Sequence, residues 1–301
     1  MSAASDKQDH WRHRNPFTAT ESIDGPRANG RGSPAAIGRA ATLALHDELA
    51  LAPKPGLVTP LDNGSHDDMD ANTFMRSLFA LRRYFVQIAE AGRAGAAFRV
   101  LERLGIAAEA RMLAATGGVN THRGSIFMLG LLCAAAGACV REHGGSPTPA
   151  RLRHALRRHW GDALAARSRR APTLPGGIAA RRHGLRGASE EAALAFPVLF
   201  ETAVPALAAA LARGITPQQA RLDTLFHVMA VLDDSNLAHR GGLAGLRHAQ
   251  RAASGFLAQG GAARPGGLAA AQAIADDFVA RRLSPGGAAS VSAAACWVLR
   301  V

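Results

Sequence analysis

The stretch FMRSLFALRRYFVQI, residues 74–88, places Phe74, Leu78, Leu81, Phe85 and Ile88 at i, i+4, i+7, i+11 and i+14. That spacing is one apolar stripe of a helix; a strand would alternate with period 2. Downstream, IFMLGLLCAAAGACV, residues 126–140, is the longest apolar run. It is shorter than the ~20 residues that span a bilayer, so it predicts a buried core helix. Thr216-Pro217-Gln218-Gln219 is a helix start, with Thr216 as cap, Pro217 in the first turn and Gln219 completing a capping box. Leu222, Leu225, Met229 and Leu232 then form the buried face. Helical spacing also covers 36–52, 71–90, 96–115, 122–141, 149–166, 188–213, 236–258, 266–282 and 287–299. No long period-2 pattern and no fixed repeat interrupts it. The expectation is an all-α fold, a single helical domain of roughly ten helices over residues 35–301. Residues 1–34, closing with GPRANGRGSP, carry no periodicity and predict a disordered N-terminal arm.

Composition narrows the function classes. With 301 residues, 48% hydrophobic and 19% charged, the chain has enough apolar surface for a globular core. Cys133, Cys139 and Cys296 form neither a disulfide framework nor a zinc pattern, which fits a reducing cytoplasm. No apolar leader opens the chain, and neither a membrane protein nor a secreted scaffold is expected. The net charge of +12 comes almost entirely from arginine, since Lys7 and Lys54 are the lysines. Aromatic residues are 5% and do not interleave with the basic ones, which argues against nucleic acid as partner.

Three connectors hold more chemistry than turning a chain requires. The first runs from Pro53-Lys54-Pro55-Gly56 to Asp62-Asn63-Gly64-Ser65-His66-Asp67-Asp68-Met69-Asp70. One aspartate can cap the following helix, but four close carboxylates repel one another. A divalent cation relieves such repulsion, and oxygen donors favour Mg²⁺ over Zn²⁺. From spacing alone, a metal site and a solvated acidic loop both stand. The second connector is Thr116-Gly117-Gly118-Val119-Asn120-Thr121-His122-Arg123-Gly124. It offers a Gly-Gly turn, a cap and two cations at a helix N-terminus, where an anion would be favoured. The third is Asp233-Asp234-Ser235-Asn236-Leu237-Ala238-His239-Arg240-Gly241-Gly242. Its aspartates follow a helix, at the end where acids are unfavourable, so capping of that helix does not explain them. Its His-Arg and Gly-Gly repeat the second loop's content and suit a polyphosphate.

PKPGLV, DNGSHDDMD, GGVNTHRGSIFMLGLL, HGLRGASEEA, DDSNLAHRGG and LSPGGAA occur in this order. Together they resemble the triphosphoribosyl-dephospho-CoA synthases, over about residues 45 to 300. The stretch DNGSHDDMDANTFMRSLFALRRYF is more similar to the branch that serves malonate decarboxylase than to the citrate lyase branch. The resemblance implies an all-α cytoplasmic enzyme that joins ATP to 3′-dephospho-CoA and releases adenine. Its product is the prosthetic-group precursor that a separate transferase attaches to an acyl carrier protein.

The residues suit that chemistry. An oxocarbenium-like transition state gains from carboxylates, the acceptor hydroxyl needs a base, and the triphosphate needs Mg²⁺ and cations. The implied assignment has Asp68 and Asp70 holding metal with Asp233 or Asp234. The other member of that pair, or Asp67, takes the hydroxyl proton. His122, Arg123 and Arg240 hold the triphosphate. Lys54, Gly117, Gly118, Asn120, Asn236, His239 and Gly241 complete the substrate site. Small-residue helix faces would suit a homodimer. Two departures stand out: Ser189-Glu190 where the family pattern reads Arg-Gly, and Ser290 where an Asp is common. The rival readings are a Mg²⁺-dependent nucleotide or ADP-ribose hydrolase, and a basic nucleic-acid-binding protein that leaves the acids unexplained.

Overall fold

The computed structural model describes residues 32–301. The expected disordered arm therefore lies outside the described residues apart from its last three, and of these Pro34 already opens a helix. Twelve α-helices follow: α1 Pro34–Leu49, α2 Ala71–Arg93, α3 Phe98–Thr116, α4 Arg123–His143, α5 Pro149–Ser168, α6 Pro175–His183, α7 Ala188–Ala193, α8 Val204–Ala212, α9 Pro217–Val231, α10 Ser235–Ala258, α11 Gly267–Ala280 and α12 Gly286–Val298. A π-helical turn, Val198–Ala203, leads into α8. Among the described residues there is no strand, so the all-α expectation holds.

Helix α4 is the axis of the fold. By length and composition it could cross a membrane. Most of it, Ser125 to Cys139 with the half-buried Phe127, is instead packed inside the fold against α1, α2, α5 and α12. The stripe of α2 meets it, with Leu78, Leu81, Phe85 and Ile88 all buried. Two glycines set how close the two helices lie. A Cβ at Gly92 of α2 would run into the carbonyl of Ala134, and one at Gly137 of α4 into that of Ala89. These two glycines are used for packing within the chain.

Two boundaries differ from expectation. The predicted helix 188–213 is cut in three. Pro197 lacks an N–H and disfavours helical geometry in the residue before it. Ala195 and Phe196 answer with positive φ (57° and 53°), and both are buried. Helix α6 was not expected, because its Pro175-Gly176-Gly177 start has low helix propensity. It ends conventionally on a left-handed glycine, Gly184.

Candidate functional site

Several helix starts meet at one end of the fold. Asp234 opens α10, and its Oδ1 accepts the N–H of Asn236 at 2.9 Å. Its Oδ2 accepts the N–H of Ala288, in the first turn of α12, at 2.9 Å. The start of α12 also meets the start of α4, where Ser125 Oγ and Ser290 Oγ are 3.2 Å apart. Gly176, in the first turn of α6, packs on Ser235 of α10. The positive ends of α4, α10 and α12 are therefore gathered together, with the Asp234 carboxylate set between those of α10 and α12.

Beside them lies an open pocket of about 380 Å³, lined by Ser65, His66, Asp67, Asp68, Arg240 and Arg282. Three segments build it: the acidic loop before α2, the second turn of α10 and the residues before α12. Ser65 Oγ donates to the Leu283 carbonyl at 2.6 Å and locks the first segment to the third. Arg240 Nη1 donates to the carbonyls of Ser65 (3.1 Å) and Arg282 (3.2 Å) and ties in α10. Arg282 forms an ion pair with Asp67 across the rim. His66 Nε2 is 2.9 Å from Ser284 Oγ, and its Nδ1 is 3.1 Å from Arg240 Nη2. Burial, and after it Arg240, hold the His66 pKa below its ordinary value, so the ring is neutral at pH 7.

The expected site residues divide between pocket and scaffold. Asp67, Asp68 and Arg240 line the pocket, and both carboxylates are exposed. Asp70 stands apart from them. It is the N-cap of α2, its Oδ1 accepting from Thr73 N–H and Thr73 Oγ1 at 2.7 Å each, and those bonds lower its pKa. Asp234 is likewise a cap. It is 1% exposed, and burial raises its pKa against the opposing backbone hydrogen bonds. Capping of the preceding helix could not explain it, but capping of the next helix does. Asp233 accepts the N–H of Arg186 at 3.1 Å. Among the described residues no three His, Cys, Asp or Glu side chains are arranged to hold a metal ion, so the expected trio does not assemble.

The expected cations are also redistributed. Lys54 is buried and donates to Glu48 Oε1 at 2.7 Å, so its charge is already matched. His122 is buried, and desolvation together with Lys54 pulls its pKa down to about 3. It is a neutral ring rather than a cation, with Nδ1 on Ser77 Oγ at 2.7 Å and Nε2 without a partner. Arg123 is paired with Glu109 at 2.7 Å. Asn120 Oδ1 accepts the N–H of Arg123, as a cap would. Both Gly-Gly N–H groups of the second loop are spent, since Gly117 and Gly118 donate to the Leu113 carbonyl and end α3. Gly241 serves close packing against Leu283. Asn236 Nδ2 contacts Asp234 Oδ1 at 3.3 Å, and His239 is exposed on α10.

His66, Arg282 and Ser284 were not among the expected site residues. The first was visible within the acidic motif. Arg282 and Ser284 flank Leu283 at the entry to LSPGG, and their significance lies in a meeting with the acidic loop more than 200 residues away in sequence. The departure at Glu190 has a structural account: its Oε2 accepts the Gly187 N–H at 2.6 Å and completes the start of α7.

Comparison with known proteins decides the family. The family model described as ATP:dephospho-CoA triphosphoribosyl transferase matches residues 34–301. The chain belongs to this family. It is 40% identical over 269 residues to the 2-(5″-triphosphoribosyl)-3′-dephosphocoenzyme-A synthase of Klebsiella pneumoniae, covering 88% of this chain and 94% of that one. It is 38% identical over 279 residues to a protein of Vibrio cholerae serotype O1 strain M66-2 named as a probable synthase of the same kind, covering 88% of each. A relative from Acinetobacter calcoaceticus with that name is 36% identical over 261 residues, 87% of this chain and 89% of that one. No solved structure matches the chain. The chain is accordingly an enzyme, a transferase, and the open pocket is its candidate active site.

Proposed function

We propose that this transferase moves the triphosphoribosyl group of ATP to the ribose 2′-hydroxyl of 3′-dephospho-CoA and releases adenine. The observation that carries this reading is the gathering of the α4, α10 and α12 N-termini beside a pocket holding two arginines and two carboxylates. Helix ends and guanidinium groups suit the triphosphate that is retained. Carboxylates suit the cationic sugar formed as adenine departs.

In this reading Asp67 is the base, since Asp70 and Asp234 are committed to caps. The 2′-hydroxyl proton passes to its carboxylate as the oxygen bonds to C1 of the ATP ribose. The C1–N9 bond breaks, its electron pair leaves with adenine, and adenine is protonated from solvent. Asp68 is an exposed hard oxygen donor beside the base, so it would help hold a Mg²⁺ ion brought in with the triphosphate. That ion would neutralise charge on the triphosphate. The chain's own residues hold the phosphates through Arg240 and keep the loop fixed through Ser65 and His66.

The finer assignment is to a cytoplasmic pathway that supplies the acyl carrier protein of malonate decarboxylase, through a separate transferase acting on the product. The sequence of the acidic loop and of α2 supports that branch over citrate lyase. The test is mass spectrometry of purified protein with ATP, Mg²⁺ and 3′-dephospho-CoA, beside a sample with EDTA. Adenine and the joined product are expected together, and only with Mg²⁺. Hydrolysis fragments with no joined product would replace this reading by the hydrolase.

A further inference from the structure

The two pocket arginines are held in different ways. Arg240 is oriented by hydrogen bonds from Nη1 to two backbone carbonyls and from Nη2 to His66 Nδ1, which leave the rest of its fork for phosphate. An arginine nitrogen only donates, so Nδ1 must be the acceptor, and the His66 proton sits on Nε2 and is given to Ser284 Oγ. This frame is fixed at both ends, and among the described residues no carboxylate pairs with Arg240. Among the described residues Arg282 has a single side-chain partner, Asp67, and the pair is open to solvent, with side-chain exposures of 70% and 82%. Its backbone is better anchored than its side chain: φ is 55°, and its carbonyl accepts from Arg240. Among the described residues the guanidinium is held at the pocket rim by this exposed ion pair alone. Exposed pairs contribute little and yield readily to a stronger anion.

We propose that Arg282 is a triphosphate-binding arm, and that Asp67 occupies it in the free enzyme until the polyphosphate takes its place. This rests on the function proposed above and adds an order of events. Phosphate binding at Arg282 frees the Asp67 carboxylate from its ion pair, so the base loses its cationic neighbour only once ATP is in place.

The test is calorimetric titration of the full chain with inorganic tripolyphosphate. It compares the unmodified enzyme with Asp67→Asn, Asp68→Asn, Arg282→Gln and the Asp67→Asn/Arg282→Gln double variant, each checked for an unchanged melting temperature. Asp67→Asn should bind tripolyphosphate about two- to five-fold more tightly, the range set by the small contribution of an exposed pair. Arg282→Gln should bind at least about ten-fold more weakly, as loss of a charge-assisted contact implies. Asp68→Asn removes the same charge from the same pocket and should tighten binding less. In the Arg282→Gln background the gain from Asp67→Asn should vanish. The proposal is overturned if Asp67→Asn leaves binding unchanged or weaker, if its gain persists without Arg282, or if no form binds tripolyphosphate. Arg282→Lys separates loss of charge from loss of shape, and should recover part of the affinity. The two readings fail separately. A chain that makes the joined product without the exchange removes this inference alone; a chain that shows the exchange without the product removes only the proposed function.

Discussion

The Asp233-Asp234 pair and the Asp67-Asp68 pair look alike in sequence, each beside a His-containing loop and a helix start. In the structure they are opposites. Asp234 is buried and divides its two oxygens between the N-termini of α10 and α12. Asp67 and Asp68 stand in solvent at a pocket mouth, Asp67 ion-paired with Arg282 and Asp68 3.7 Å from the His66 ring. A buried carboxylate survives only where hydrogen bonds replace water, so its position builds the fold. An exposed one keeps its lone pairs for a substrate. Sequence density alone does not separate the two kinds of aspartate; burial does, placing Asp234 in the fold and Asp67 and Asp68 at the pocket.

The contrast is broken most directly at Asp234. Asp234→Asn turns one oxygen into an NH₂ group, which cannot serve both the Asn236 and the Ala288 N–H groups. The remaining oxygen can still cap one helix, and the other buried donor, left unsatisfied, costs about 1–3 kcal/mol. We expect a loss of about 1–3 kcal/mol in urea unfolding. A variant as stable as the parent and devoid of turnover would return Asp234 to catalysis.

His122 and His66 repeat the contrast and give the next largest effect. Both rings are neutral at pH 7, but only His122 is sealed in. Its pKa of about 3 in the folded chain lies below the unfolded value near 6.5. Between those values the unfolded state binds the extra proton, so stability is full above about pH 6.5 and falls as pH drops toward 3. The slope from this one group is roughly 1 kcal/mol per pH unit. His122→Gln should flatten urea stability between pH 6.5 and 4.5. An unaltered slope would mean that the ring is hydrated.

How much of this was legible in the sequence follows from what kind of information each feature needs. The stripe from Phe74 to Ile88 and the apolar run from Ile126 to Val140 are local patterns, and both helices formed where expected. The cut at Phe196-Pro197 was also local, and Pro197 marked it. The pocket was legible in part: Asp67, Asp68 and Arg240 were among the expected residues, and His66 lay in the quoted motif. Arg282 was invisible because its partner is 215 positions away in sequence. Lys54 and Glu48 show the same limit in reverse. Six residues apart, they pair in the interior and cancel a charge that the sequence offered to a phosphate.

A smaller effect is expected at Glu190, which tests whether a departure from the family pattern is structural. Its carboxylate accepts the Gly187 N–H at the start of α7. Glu190→Ala should cost about 0.5–2 kcal/mol, as lost N-terminal capping does. Turnover should stay near the parent value. A large fall in turnover with unchanged stability would place Glu190 at the substrate.

The smallest effect on folding is expected at Asp68, and there the comparison becomes sharpest. Its side chain is 62% exposed, and its ionic neighbour, His66 at 3.7 Å, is a neutral ring at pH 7. Nothing in the fold depends on it, so Asp68→Asn should shift stability by no more than about 0.5 kcal/mol. Its chemistry should not be so tolerant. If it is an oxygen donor to the cation on the triphosphate, the variant should need a higher Mg²⁺ concentration for half-maximal rate. Loss of one such ligand is expected to move that midpoint by about ten-fold, with a smaller change in the KM for 3′-dephospho-CoA. An unchanged Mg²⁺ midpoint would leave the cation to the phosphates alone. The conclusion that exposed acids do the chemistry would then rest on Asp67 by itself.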